Sequence, residues 1–523
     1  MNRFHLQFLF ICLLTQSLIF SQSTYYVSVN GNNSNDGLTA STAFATLEYA
    51  SNIVAAGDSV LVLSGTYTGF DIRTSGTSIQ PIVFKALSND VIINVRNPIT
   101  TDGINIEDAD WIEVHGFNVI NQPRAGIRIV LSDFVKIKNN TCSNNYKWGI
   151  FTGFTNDILI DNNSCSYSED EHGIYVSNSS DRPKIINNHS YFNNGCGIHM
   201  NGDLSMGDDG IISDAVIAGN IIHDNGVGGG SAINMDCVQD SKIYNNLIYN
   251  NHATGIAMYQ IDGAEGSKNN KVFNNTIVHP TDGRWAVLIV NGSTGNTVYN
   301  NILINNHSFR GSICIDEDSK AGFVSDYNLL VNRLSDDDGN SNMSLASWQS
   351  LGYDTHSQIV QDENQIFVNN TNGNFHLLPS SQPINSGTSL VNSVVIFDIE
   401  GVSRPQGNGF DIGAYEFTSA VSVDEETLPN DFILFQNYPN PFNPSTTIKY
   451  TIPNVTLSGV EGSRVIFKIY DLLGNEIVTL VNENKPTGNY EVSFDAKNLS
   501  SGTYFYKLQA GSFVETKKML MIK

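Results

Sequence analysis

Apolar residues in the middle of this chain recur in short alternating runs. The runs FVKIK, DILI, KII, AVIA, SKIY, NKVF and NTVY are at most five residues long. A helix would need apolar positions three or four apart over roughly ten or more residues, so the runs predict short strands. A turn pair follows each one: Asn139-Asn140, Asn162-Asn163, Asn187-Asn188, Gly219-Asn220, Asn245-Asn246, Asn274-Asn275 and Asn300-Asn301. A second series of strands lies between them: AGIRIV from Ala125, WGIFTG from Trp148, HGIYVS from His172, CGIHMN from Cys196, SAINMD from Ser231, TGIAMY from Thr254 and WAVLIV from Trp285. The second residue of each is Gly or Ala, and four of the six intervals between them are 23 or 24 residues, the others 35 and 31. A unit this short cannot bury its own apolar face, so successive units must stack. Asn tolerates left-handed turns, and stacked Asn side chains bond along the axis. The pattern predicts an all-β parallel β-helix with three short strands per coil.

Alternation within the second series turns Ile174, Val176, Ile198, Met200, Ile233 and Met235 inward. One outward column then reads Arg128, Phe151, Tyr175, His199, Asn234, Ala257, Leu288, and the next reads Val130, Gly153, Ser177, Asn201, Asp236, Tyr259, Val290. Tyr175, His199, Asn234, Asn201 and Asp236 are expected to form one exposed polar cluster.

A net charge of −24 argues against nucleic acid as a partner, because phosphates need a basic surface. An acidic glycan would need a local cationic patch or a bridging Ca²⁺. Residues 1–21 read as a signal peptide: Arg3 supplies the charge, Phe8 to Leu14 and Leu18 to Phe20 the apolar stretch, and Ser21 a small cleavage residue. No later segment is long and apolar enough to span a bilayer. Five cysteines follow (Cys142, Cys165, Cys196, Cys237 and Cys314), and the expectation is buried thiols stacked in the core.

Residues from about 24 to 417 resemble the pectate-lyase-like right-handed β-helix superfamily. The resemblance rests on the repeats and on the opening YYVSVNGNNSNDGLTASTAFATLEYA with AAGDSVLVLSGTY. It implies a capping helix over Thr46 to Ala55, with Leu47, Ala50 and Val54 facing the core. The segment Asp398 to Phe417 is similar to a closing motif of such proteins, and Asp398, Arg404 and Asp411 are expected to form a structural turn network. An acidic linker, residues 418–431, leads to a tail that reads as a small antiparallel β-sandwich. This tail, residues 432–523, closely resembles the C-terminal sorting domain of the type IX (Por) secretion system. The resemblance implies export across an outer membrane, with the secretion machinery as a partner and a secreted or cell-surface location.

The polar cluster has the parts for β-elimination at a uronic acid. His199 is the candidate base and Tyr175 the candidate acid, with His172 beside them, where Asp170 or Glu171 could orient its ring. Asn234, Asn201 and Tyr259 would bind substrate, and Asp236 would do so through Ca²⁺. Arg284 would bind an anionic sugar. The Asp170-x-His172 step is similar to the Asp-Pro-His motif of mannuronan C5-epimerases but lacks the Pro. The 35-residue interval carries the insertion GDLSMGDDGIISDA, whose Asp203, Asp208 and Asp209 are candidate Ca²⁺ ligands; the 31-residue interval carries QIDGAEGSKNN, with Asp262, Glu265 and Lys268. No other cofactor is demanded, and a monomer is expected. GVGGGSA, from Gly226 to Ala232, lacks a following Walker lysine and reads as a turn. The leading expectation is a secreted polysaccharide lyase. A glycoside hydrolase, a uronate C5-epimerase or a non-catalytic glycan-binding protein on the same fold are the rivals.

Overall fold

The computed structural model describes residues 22–418 and, with short gaps, 433–521; the signal-peptide reading and nearly all of the linker lie outside the described residues. The chain divides into two compact units between Thr418 and Ser419.

The first unit is the expected solenoid. Sheet A has twelve strands starting at Thr24–Val27, sheet B twelve starting at Gly65–Thr68, and sheet C ten from Phe70–Ile72 to Ile313–Ile315. Successive coils add parallel strands to the three sheets, and the apolar alternation fills the core with one inward residue from the short strands of sheets A and B and two from most strands of sheet C. Val119, Cys142, Cys165, Ser190 and Ile222 form one such inward column. The five cysteines are buried and free.

The Asn pairs have two separate jobs. The first member takes the left-handed turn, with φ near +55° at Asn139, Asn162, Asn187 and Asn245. The second turns inward and stacks. Asn188 Nδ2 donates to Asn220 Oδ1 at 3.1 Å, Asn220 to Asn246 at 2.9 Å and Asn246 to Asn275 at 2.9 Å. Each inward amide thereby satisfies turn backbone that the strands leave unpaired. The small residues that open the sheet C strands have a steric cause: a Cβ on Gly149 would lie 2.6 Å from the Gly173 carbonyl oxygen and 3.0 Å from Cys165 Cβ.

The entry end is closed by a helix, Leu47–Ser51, shorter than expected, with Leu47, Ala50 and Val54 buried as anticipated. Glu48 accepts the Asp71 amide at 3.0 Å, pairing the first strand of sheet C, which would otherwise be an open edge. At the far end Trp348 is fully buried and donates to Asp354, which also accepts from Asn328 and so ends the Asn ladder. The segment Asp398–Phe417 is a strap along the solenoid. Buried Arg404 pairs with Glu416 at 2.9 Å, Asp398 and Asp411 accept backbone amides, and Asn274 donates to the Asp411 carbonyl.

The second unit is a sandwich of antiparallel sheets. One holds Ile433–Leu434, Ser445–Ile452 and Gly488–Asp495; the other holds Glu476–Lys485, Ser463–Tyr470, Gly502–Ala510 and Phe513–Met521. Its core includes Phe442, Tyr450, Phe467, Tyr506 and Met519.

Candidate functional site

The register of sheet C assembles the outward column as expected. Arg128 pairs with Phe151, Phe151 with Tyr175, Tyr175 with His199, His199 with Asn234 and Asn234 with Ala257. It also extends the column backwards to Asn105 and Asp71. The rungs lie about 4.8 Å apart, so neighbours in the column touch. The ring centroids of Tyr175 and His199 are 4.6 Å apart, those of His172 and His199 4.5 Å, and those of His172 and Tyr175 5.3 Å.

Aromatic and charged groups continue this surface. Trp148 stacks on Phe151 at 4.4 Å, and Phe151 meets Tyr175 edge-on at 5.4 Å. Glu171 accepts the Trp148 indole N–H at 2.7 Å and pairs with Lys147; its carboxylate lies 3.8 Å from His172 Nε2. His172 Nδ1 accepts the Cys196 amide at 3.0 Å. Cys196 Sγ lies 3.6 Å from His199 Nδ1, and Asn234 Nδ2 lies 3.3 Å from the same nitrogen. Asn234 also donates to the Tyr259 hydroxyl at 2.6 Å and accepts from Ser231.

The cluster is less open than the alternation implied. Tyr175, His172 and His199 are half-buried, whereas Asn201, Asn234 and Asp236 are buried. The reason is that the two insertions fold onto each other over this end of the strands. Leu204 donates to the Asp262 carbonyl at 3.0 Å, Asn201 to the Asp262 carboxylate at 3.2 Å, and Ala264 to the Gly210 carbonyl at 3.1 Å. The Asp236 carboxylate accepts the amides of Ile261, Asp262 and Gly263 at 2.9, 2.8 and 3.3 Å. Those three amides occupy the oxygens that the sequence reading offered to substrate or Ca²⁺.

Burial also sets protonation. It pushes the His172 imidazole down to about 3 and His199 well below its ordinary value, and it raises the Tyr175 phenol. Although the His199 ring is half-buried as a whole, its Nε2 is sealed from solvent and has no hydrogen-bond partner. Burial raises the Cys196 thiol to about 12.

Other nominated residues lie apart from this cluster. Arg284 is exposed just before the sheet C strand Val287–Ile289, three rungs beyond Cys196. Asp203 is spent on its own turn, accepting from Ser205 N and Oγ at 3.1 and 2.6 Å, while Asp208 and Asp209 are exposed. Among the described residues, the one group of three His, Cys, Asp or Glu side chains with ligand atoms mutually within 4.8 Å is His172, Cys196 and His199, so the three Asp do not converge. These donors, one sulfur and two imidazoles, suit a soft transition metal and not Ca²⁺. Sequence reasoning placed Cys196 in the core. Its position two residues before inward Ile198, at the corner where the strand begins, is the signal that could have set it beside His199.

Residues 51–230 and 201–311 match the family described as periplasmic copper-binding protein (NosD), and residues 436–523 match the secretion system C-terminal sorting domain. The solved structure of pectate lyase Pel9A superposes with a TM-score of 0.53 at 16% identity, covering 76% of this chain and 98% of that one. The solenoid is a pectate-lyase-like right-handed parallel β-helix, and the tail is a secretion-system C-terminal sorting domain. Rhamnogalacturonan lyase superposes at a TM-score of 0.40 with 17% identity, over 60% of this chain and 86% of that one. A protein of Bacillus subtilis (strain 168), YwoF, is 36% identical over 100 residues, which is 18% of this chain and 21% of YwoF. The match thus spans about a fifth of that relative's length. Among the described residues no helix is long and apolar enough to cross a membrane.

Proposed function

We propose that this β-helix is exported through its sorting tail and cleaves a uronate-containing polysaccharide by β-elimination on the outward face of sheet C. The observation that carries the reading is the convergence of Tyr175, His199, His172 and Asn234 on adjacent rungs, beside the stacked rings of Trp148 and Phe151. In such a reaction a base takes the C5 proton, the C5–H electron pair forms the C4=C5 double bond, and the C4–O bond breaks. The leaving oxygen takes a proton. With Nε2 sealed, His199 is assigned as base through Nδ1, from which the Asn234 amide would turn to the substrate, and Tyr175 as acid. The Asn234 amide, oriented by Ser231 and Tyr259, is assigned to the substrate carboxylate. The apolar rings of Trp148 and Phe151 would carry neighbouring sugar faces, and Lys147 and Arg128 lie along the same path, paired with Glu171 and Glu107.

The test is incubation with pectate, alginate and glycosaminoglycans while following the ultraviolet absorbance of unsaturated uronate. Rising absorbance that Tyr175→Phe and His199→Gln abolish supports the assignment. Reducing ends without unsaturated product would replace it with a hydrolase, and altered uronate composition without cleavage with an epimerase. Glycan binding that both variants retain, with no product, would leave a binding protein. The family description of the matched region names copper, and the residues present fit that ion: His172, Cys196 and His199 would hold it, whereas the acidic insertion offers no converging set.

A further inference from the structure

We propose that Cys196 and His199, joined by His172, form a copper(I) site beneath the glycine loop Gly226–Gly230, and that metal loading and glycan turnover exclude each other there.

Three observations support the site. First, the spacing suits a single ion. Bonds of about 2.3 Å to sulfur and 2.0–2.1 Å to nitrogen give an S···N edge of about 3.8 Å in a three-coordinate site, and Cys196 Sγ lies 3.6 Å from His199 Nδ1. Second, the donor set is short and soft. Among the described residues no fourth His, Cys, Asp or Glu joins the group, and one thiolate with imidazole nitrogens in a buried pocket favours a low-coordinate soft ion over Zn²⁺, which takes four ligands. Third, the site contains a polar atom the protein leaves unsatisfied, the sealed His199 Nε2. The Asn234 amide nitrogen already faces Nδ1 as a donor and leaves the proton on Nε2, so an ion on Nδ1 would take Asn234's place and keep that tautomer.

The glycine loop explains access. Gly226, Gly229 and Gly230 all have positive φ, and a Cβ on Gly230 would lie 2.6 Å from Cys196 Sγ. Only a glycine lets the backbone pass this close over the thiol. Gly229 has no heavy atom within contact of an added Cβ, and Val227 is 75% exposed, so the cover is thin and lightly packed. Its sequence, GVGGGSA, looks like an ordinary turn until Cys196 is found beneath it.

Loading is a proton exchange: the Cys196 S–H bond breaks, the S–Cu bond forms, and the proton leaves to solvent with no change of oxidation state. His172 must also release the bond its Nδ1 accepts from the Cys196 amide, whichever ring nitrogen binds, so it contributes least of the three. A copper-bound His199 has no lone pair for a substrate proton. This exclusion is the one clause that rests on the elimination reading.

The purified full chain, reduced and kept anaerobic, is titrated with copper(I) against a chromophoric copper(I) chelator. One equivalent should bind, with copper-edge X-ray absorption reporting one sulfur among nitrogens. Cys196→Ser should weaken binding by at least about a hundredfold, since changes even outside a ligand set cost about 10- to 100-fold; His172→Gln should cost less. Binding unchanged in Cys196→Ser, or an all-sulfur shell such as stacked Cys142 and Cys165 would give, overturns the site. If Cys196→Ser does not fold, His199→Gln carries the same comparison. Copper(I) should also stop uronate release by the wild type and spare Cys196→Ser. Turnover by copper-loaded wild type overturns the exclusion while leaving the site, and absence of any lyase activity leaves the stoichiometry readable.

Discussion

Asn234 donates a 2.6 Å hydrogen bond to the hydroxyl of Tyr259, one rung along and in the adjacent outward column. The same amide nitrogen lies 3.3 Å from His199 Nδ1, so Tyr259 fixes the group that faces the imidazole. Tyr259→Phe removes the acceptor and keeps the ring. A lost hydrogen bond of this kind costs roughly 0.5–1.5 kcal/mol, and if Asn234 meets the substrate carboxylate, KM rises roughly two- to tenfold with kcat little changed. Steady-state kinetics on the active polymer make the measurement. An equal fall in kcat alone would remove Asn234 from ground-state binding.

Asp236 has a different task from the one its place in the column suggested. Its carboxylate gathers three successive amides of the second insertion, and hydrogen bonds to a charged group are worth about 1.5–3 kcal/mol each. Asp236→Asn should therefore loosen residues 260–264 and speed proteolysis there. Chelation of Ca²⁺ should not reproduce the effect. Limited proteolysis with fragment mapping reads both, and equal sensitivity to a chelator would restore a bridging cation.

The coils, the Asn ladder, the inward columns and the partners of Tyr175 and His199 were all legible in the sequence. Each follows from a period of two within strands and a near-constant interval between them. What escaped was set by contacts without a period. The insertions at Gly202 and Gln260 carry no repeat, so nothing in the pattern showed that they would zip together and cover Asn201 and Asp236. Cys196 likewise sits at a corner, where alternation stops assigning an inside and an outside.

The ladder itself is testable at Asn220. Its Oδ1 accepts the backbone and side-chain amides of Asn188, while its Nδ2 donates to the Ile185 carbonyl and to Asn246. Asn220→Ala strands at least two buried backbone groups, at about 1–3 kcal/mol each. By contrast Asn162, which takes the exposed left-handed position, should tolerate Gly with little loss. Chemical denaturation of the two variants should separate them by at least about 2 kcal/mol. Equal stabilities would mean the ladder adds nothing beyond its neighbours.

Acid should weaken the solenoid through His279, which ends the sheet B strand Thr276–His279 and is fully buried with both ring nitrogens unpartnered. Burial pushes its imidazole from 6.5 down to about 4. In the unfolded chain the same ring titrates near its ordinary value, so between those two pH values the unfolded state binds the extra proton. The contribution is therefore fully present above about pH 6.5 and is lost progressively as pH falls towards 4. A shift of this size corresponds to on the order of 3 kcal/mol at the acid end. His279→Leu cannot take up a proton and should flatten the fall of thermal midpoint between pH 7 and 4 relative to the wild type. Parallel midpoint curves for the two proteins would assign the acid sensitivity to the other histidines whose imidazoles burial lowers, His172, His189 and His199.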